Sequence, residues 1–238
     1  MYMSLENTPF WEVIRSSFSA AIWKEVGPAV WDTVYMTVVS SIIMFIIGLA
    51  FGIILIWTDK GGIRATPIIN GPFGWFINIL RSLPQMIMII IMIPVARSIF
   101  GQSYGTNPCI VAIAASCIPM YARMVESSLL EVEKGKIDAA RSLGSTDLDI
   151  VFRVWIPEAI PSLIRGFTVT VIGIISMTAL AGMFGAGGIG DIAVRYGYQR
   201  FQHDKLLACI YVLIVIVQLT QSAGNLLSDH VRKKRGLM

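Results

Sequence analysis

Charge is scarce in this chain. Of its 238 residues only 14% are Asp, Glu, Lys or Arg, while 55% are hydrophobic and the mean hydropathy is +0.70. Soluble domains carry about 25% charged residues, so the composition speaks against a water-soluble core and for a membrane protein. Cysteine is sparse too: Cys109, Cys117 and Cys209 all fall in apolar stretches. An odd number without metal-type spacing argues against a disulfide framework and a zinc site, and leaves buried free thiols. The two histidines, His203 and His230, are too isolated to suggest a metal pair and read as solvated side chains. The N-terminus, MYMSLENTPFWEV, has acidic residues and no early apolar core, so no cleavable signal peptide is expected and insertion falls to the first span. A G-x-x-x-x-G-K-[ST] phosphate loop is also missing: Gly135 and Lys136 are followed by Ile137, with no hydroxyl to hold magnesium. The chain is therefore not expected to bind ATP itself. The net charge of +4 does not read as nucleic-acid binding, because the basic residues lie between apolar runs instead of on one soluble face.

What is present is a set of long apolar runs. A bilayer crossing needs about 20 residues at ~1.5 Å each, and five regions supply them. They are Trp31–Trp57, Phe73–Phe100, Cys109 to about Leu130, about Ala159 to Phe184, and Leu206 to about Leu227. Trp31, Trp57 and Trp75 stand at run ends, where amphipathic rings prefer the lipid–water interface. In a five-span arrangement Lys60, Arg64, Lys134, Lys136, Arg141, Arg153, Arg232, Lys233, Lys234 and Arg235 share one side. Arg15, Lys24, Arg195, Arg200 and Lys205 fall on the other. The positive-inside rule then puts the N-terminus outside and the C-terminus in the cytoplasm, in an all-α, multi-pass fold.

Ahead of the first run, Phe10, Ile14, Phe18, Ile22 and Val26 recur at helical spacing. This suits a helix lying in the interface over residues 1–30, or a loosely ordered tail. One membrane domain, 31–228, follows, and 229–238 form a basic cytoplasmic tail. Pro84, Pro94 and Pro119 are expected to kink or break their helices.

Between the third and fourth runs lies a soluble-looking island, KIDAARSLGSTDLDIVFRVWIPEAIP, residues 136–161, within a cytoplasmic loop of about 133–158. Ala139 to Leu143 are good helix formers, and Gly144 is a natural left-handed C-terminal cap. Ser145 or Thr146 caps a second helix whose first turn holds Asp147 and Asp149, at the positive end of its dipole. Leu148, Val151, Phe152 and Trp155 recur at i, i+3, i+4 and i+7 and give it one apolar face, and Pro157 and Pro161 end it. That face either packs on the ends of the chain's own spans or docks into the groove of a soluble partner.

The same residues resemble the signature of bacterial ABC importer permeases, whose cytoplasmic loop reads E-A-A, then Gly four residues after the second Ala, then I-x-L-P. Asp138, Ala139, Ala140, Gly144, Val154, Ile156 and Pro157 stand at that spacing. Asp replaces Glu at 138, Val replaces Ile at 154 and Ile replaces Leu at 156, each keeping charge or apolar character. The resemblance implies a coupling loop that inserts into a separate ATPase subunit, which would bind the ATP and magnesium. It runs from about Trp31 to the C-terminus and is closest to methionine-uptake permeases, in RSLP (Arg81 to Pro84), ARMVESSLLEV (Ala122 to Val132) and FGAGGIGDIAVRYGYQRF (Phe184 to Phe201). It implies a homodimer of five-span chains, two ATPase subunits and an external binding protein, often a lipoprotein, in a bacterial cytoplasmic membrane. The cargo it implies is methionine, with another small amino acid or an osmoprotectant as the alternative.

Polar residues within spans are candidates for a path. Gln218, Gln221 and Asn225 form one stripe of the last span, as interhelical glue or as path lining; Ser176, Met177 and Thr178 are weaker candidates. Arg123 and Glu126 either pair and anchor the coupling loop or snorkel, while Arg81 and Arg165 snorkel. GAGGIG matches a dinucleotide fingerprint but follows a span instead of a strand. Gly185, Gly187, Gly188 and Gly190 more simply allow close backbone approach or a tight turn, and by resemblance lie near an external gate. GQSYG, Gly101 to Gly105, matches the nucleophile pattern G-x-S-x-G, yet no strand precedes it. An intramembrane serine protease using Ser103 and His203 is the rival enzyme reading, although neither residue lies within a span. A channel is the other rival, and it gives no reason for the loop signature. No catalytic or metal-ligating residue is assigned.

Overall fold

The computed structural model of the chain describes residues 9–234. Residues 1–8 of the N-terminal segment, 235–238 of the tail with Arg235, and the Phe10 side chain lie outside the described set. Among the described residues all regular structure is helical: α1 (Phe10–Ser17), α2 (Ala20–Thr58), α3 (Pro67–Ser82), α4 (Gln85–Phe100), α5 (Thr106–Leu130) and α6 (Lys134–Ser142) come first. A short α7 (Asp147–Asp149) passes through a π-helical turn (Ile150–Trp155) into α8 (Ile156–Ala181), and α9 (Gly188–Ile192) and α10 (His203–Lys234) complete the chain.

Four helices are long and apolar enough to cross a membrane: Ala20–Thr58, Thr106–Leu130, Asp147–Phe184 and His203–Lys234. The pair α3 and α4 makes a fifth if it counts as one span. The expected run Phe73–Phe100 is thus broken, because Pro84 supplies no N–H and drives Leu83 into an extended conformation, φ −76° and ψ 134°. Pro94 and Pro119, also expected to kink or break helices, lie inside α4 and α5 without interrupting them.

The first span differs from expectation at its start. Phe18 and Ser19 separate α1 from α2, and α2 then continues past Trp31 as one helix of 39 residues. Ile22 and Val26, expected to face lipid from an interfacial helix, are instead buried with Ile189, Ile192, Ala208, Cys209 and Val212. Glu25 pairs with Lys205, and the Phe18 ring stacks on Tyr211 at 5.5 Å. Tertiary partners thus cover Ile22 and Val26, while Phe18, earlier in the same stripe, stays 62% exposed.

The chain divides into two compact units. The first comprises Met1–Ser41, Gln85–Ala114 and Gly173–Leu219, in their described parts, and centres on the cluster just named. The second comprises Ile42–Pro84, Ala115–Ile172 and Thr220–Met238, likewise. Its packing rests on small residues, as expected where lipid removes the hydrophobic drive between helices. A Cβ on Gly52 would lie 2.5 Å from Val125, and one on Gly224 would lie 2.1 Å from the Thr168 hydroxyl. Either added methyl would push the helices apart. Phe45, Tyr121 and Phe167 fill the remaining space, with ring centroids 5.5 to 6.0 Å apart. Cys109, Cys117 and Cys209 are free and buried.

Candidate functional site

The second unit carries the 133–158 loop. Helix α6 ends in a Schellman motif: Gly144 N–H donates to the Arg141 carbonyl at 2.9 Å and Ser145 N–H to that of Ala140 at 3.1 Å. The motif needs a left-handed residue, and Gly144 has φ +82°. Of the two expected caps for the next helix, Thr146 is the one used. Its hydroxyl accepts from Asp149 N–H at 3.2 Å, and the Asp149 carboxylate accepts from Thr146 N–H at 3.3 Å and from its hydroxyl at 2.6 Å. These bonds, with Arg153 adding to them, hold the Asp149 carboxyl below the ordinary aspartate range. The turn between the two helices is fixed from both sides.

The second helix departs from its expected form. Ile150, Val151 and Trp155 are buried, but Leu148 is 57% exposed and Phe152 63%. The widened i→i+5 turn over Ile150–Trp155 rotates the apolar stripe, so its two halves no longer share a face. Pro157 and Pro161, expected to end the helix, lie within a helix that continues to Phe184. A π turn leaves room for a ring that would clash with the carbonyl four residues back, and Pro157 stands two residues past its end. With Leu143 at 87% exposure, Leu148 and Phe152 make the loop's uncovered apolar surface.

The predicted signature residues all sit in this unit, in two roles. Asp138, Ala139 and Gly144 are exposed on the two short helices and the turn between them, residues 134–155, here termed the handle; Ala140 is half-buried on α6, and Val154, Ile156 and Pro157 are half-buried at the junction with α8. Ties beyond their spacing hold the handle. Arg64 Nε meets Asp147 at 2.7 Å, Arg141 donates to the Ile63 carbonyl at 3.0 Å, and Lys136 Nζ meets Glu158 at 2.9 Å. Two of these bonds join the handle to the α2–α3 connection and one joins it to α8. They span 83, 78 and 22 residues of sequence, a separation that no local pattern signals.

Arg123 and Glu126 pair at 2.6 Å, and Arg123 also donates to the Gly74 carbonyl at 2.9 Å. The pair therefore neither snorkels nor touches the loop: it fixes α5 to α3. Arg165, expected to snorkel, donates to Ser228 Oγ at 3.2 Å, and Ser228 in turn donates to the Pro161 carbonyl at 3.2 Å. Arg81 is exposed.

The glycine segment lies in the first unit and is folded on itself. Gly185, Gly187 and Gly188 have φ of +77°, +79° and +79°. A Cβ on Gly190 would come within 2.3 Å of the Ala179 carbonyl oxygen, and one on Gly182 within 2.3 Å of Asp191 N. Thr33 Oγ1 accepts from Ile189 N–H at 2.9 Å, and Gly105 N–H donates to the Gly185 carbonyl at 2.9 Å. Close backbone approach is what these glycines permit.

The path candidates are divided. Ser176 is exposed, but Met177 and Thr178 are buried at 5% and 1%, with the Thr178 hydroxyl donating to Ile175 carbonyl at 2.7 Å. Gln218 and Asn225 are exposed and Gln221 is half-buried, its amide donating to Asn225 Oδ1 at 3.0 Å. The amides of Gln221 and Asn225 thus bond each other on the outer face of α10. No hydrogen bond joins Ser103 to His203; the His203 ring packs edge-on against Phe201 at 6.4 Å.

Residues 48–233 match the family described as binding-protein-dependent transport system inner membrane component. The chain is 39% identical over 203 residues to the probable D-methionine transport system permease protein of Vibrio cholerae, covering 85% of this chain and 90% of that one. It is 37% identical over 210 residues to the methionine import system permease protein of Bacillus subtilis, covering 88% and 95%. Among solved structures it is similar to an inward-facing conformation of the MetNI methionine ABC transporter, with TM-score 0.88 and 36% identity over 90% of this chain and 99% of that one. An amino acid ABC transporter structure at 16% identity and TM-score 0.72 shares the fold.

Proposed function

Because the chain belongs to the family of binding-protein-dependent transport system inner membrane components, we propose that it is the permease subunit of an ATP-driven importer that carries methionine into the cytoplasm. It is a multi-pass protein of a bacterial cytoplasmic membrane. The observation that carries the proposal is the handle: two short helices locked at Gly144 and Thr146, presenting Leu143, Leu148 and Phe152 uncovered. Large apolar side chains on a polar loop lose stabilisation in water and gain it in a partner's groove. The occupant of this reading is an ATPase subunit, which would supply ATP, magnesium and the hydrolysis.

The remaining assembly follows from the same reading. A second copy of the permease, two ATPase subunits and an external binding protein, a lipoprotein in many systems of this kind, complete the importer. The N-terminus lies outside and the C-terminus inside, so that the handle faces the cytoplasm. Closure of the ATPase pair drags the handle, and a stiff link is what passes that displacement on. Arg64–Asp147 carries it to the α2–α3 connection, and Lys136–Glu158 carries it to α8. The spans respond by rigid-body rocking, and nucleotide shifts the balance only as far as it binds one state better than the other. The exposed amides of Gln218 and Asn225, with half-buried Gln221 and exposed Ser176, line the path or meet the second copy, since amides facing lipid are costly. Gly185, Gly187, Gly188 and Gly190 shape the external gate.

Uptake of labelled methionine into proteoliposomes tests this, with the ATPase and the binding protein each added or left out. Uptake that needs both and ATP is the expected result. Assembly with the ATPase without methionine uptake would redirect the cargo to another small amino acid or an osmoprotectant. Failure to assemble would sink the permease reading.

A further inference from the structure

At the base of the handle the second unit holds a cleft of about 340 Å³, bordered by the Lys136–Glu158 pair. Glu131, Glu133 and Glu158 line it together with Lys136, Arg165 and Arg232, so the formal charges balance. Part of that charge is already matched, Lys136 by Glu158 at 2.9 Å and Glu131 by the Ser162 hydroxyl at 2.8 Å. Arg165 commits its Nε to Ser228, and among the described residues neither Glu133 nor Arg232 has an ion pair. What remains are the carboxylates of Glu131 and Glu133 on the α5–α6 connection and two guanidinium groups, Arg165 on α8 and Arg232 on α10.

We propose that this cleft binds a compact zwitterion, its ammonium held by Glu131 and Glu133 and its anionic group by Arg165 and Arg232. A lone anion would meet three carboxylates and a lone cation would meet two guanidinium groups, each leaving like charges together at a cost. A molecule with both signs satisfies both ends, and planar guanidinium groups suit a carboxylate or phosphate. The volume is within the range of small-ligand sites, roughly 300–1,000 Å³. Two sources have this chemistry: the phosphoethanolamine head group of a membrane lipid, and a free α-amino acid. Basic pockets between membrane helices are known to hold the phosphates of lipid head groups. A bound zwitterion ties the α5–α6 connection to α8 and α10 and so stiffens the base of the handle. The proposal rests on the cleft and does not need the importer reading.

Amide hydrogen exchange over residues 131–142, on the full chain in nanodiscs of phosphatidylglycerol and phosphatidylcholine, gives the baseline. In one arm phosphatidylethanolamine replaces phosphatidylcholine, whose quaternary ammonium has no N–H to donate; in the other, methionine is added to the baseline discs. A ligand at about ten times its Kd slows exchange that proceeds through the open cleft by roughly tenfold. Slowing in the lipid arm identifies a head-group site and slowing in the methionine arm an amino-acid site. In either case Glu133→Gln and Arg232→Gln should abolish it, neither side chain having an ion pair among the described residues to lose. Unchanged exchange in both arms, or slowing that survives both substitutions, overturns the proposal. Because no transport is measured, a failed uptake assay and an empty cleft are separate results.

Discussion

A methyl group at Gly144 in the handle would meet no heavy atom within 4 Å, whereas one at Gly190 in the glycine segment would sit 2.3 Å from the Ala179 carbonyl oxygen. Gly144 has φ +82°, while Gly190 is not among the glycines of positive φ. The same residue thus answers two different demands. In the handle the backbone needs a left-handed turn and the space around it is open. In the glycine segment the backbone conformation at 190 is ordinary and the absence of volume is what matters, because chain packs on chain.

This contrast predicts unequal results from similar substitutions. The largest effect belongs to Gly190→Ala, which forces the loop off α8 and should cost roughly 3 kcal/mol or more, as overpacking against backbone does. Thermal unfolding in detergent should show a large drop, and a variant that unfolds like the parent would contradict the close approach. Next comes Gly144→Val, which should insert and fold yet lose uptake, since a left-handed β-branched residue costs about 1–2 kcal/mol and misaligns the two short helices. Gly144→Asn, which tolerates the left-handed region, should restore most of it; equal loss in both would mean that the turn conformation is not the reason. Arg64→Ala should matter less. Its ion pair with Asp147 is 75% exposed on the arginine side, and exposed pairs contribute about 0.2–1 kcal/mol. A modest fall in uptake with unchanged unfolding is expected.

The smallest effect concerns pH. The folded Asp149 carboxyl is depressed by its bonds to the Thr146 hydroxyl and backbone, with a smaller contribution from Arg153. Its contribution is therefore complete above the ordinary aspartate value of 3.8 and is lost only as pH falls through the lower folded value. Exchange at the Asp149 amide should thus be flat, after correction for intrinsic rate, between about pH 5 and 8. Thr146→Ala should speed that exchange without introducing pH dependence.

Legibility in the sequence followed locality. The cap at Gly144 and the box at Thr146 involve neighbours a few residues apart, so residue type and spacing suffice. The break at Pro84 is legible only in part, since Pro94 and Pro119 carry the same local signal and lie inside uninterrupted helices. The π turn is not, because a fixed helical period puts Leu148 and Phe152 on one face with Val151 and Trp155, and the extra residue in the turn separates them. Pro157 reads as a terminator only if the helix before it is regular. The early start of α2 was hidden because Lys24 and Glu25 look like a span's outer flank until Lys205 is known to face Glu25. Bonds such as Arg64 to Asp147, and Arg123 to the Gly74 carbonyl, depend on the tertiary fold and leave no periodic trace.

All three native thiols are sheltered: Cys109, Cys117 and Cys209 are 4%, 1% and 0% exposed. A maleimide reagent offered to the folded chain therefore finds little to modify. A cysteine substituted for Leu143 or Phe152, both strongly exposed, becomes the one rapidly labelled position without removing any natural sulfur. A fluorophore or spin label there would report on whatever comes to cover that surface, the proposed ATPase subunit included, in a protein otherwise unaltered.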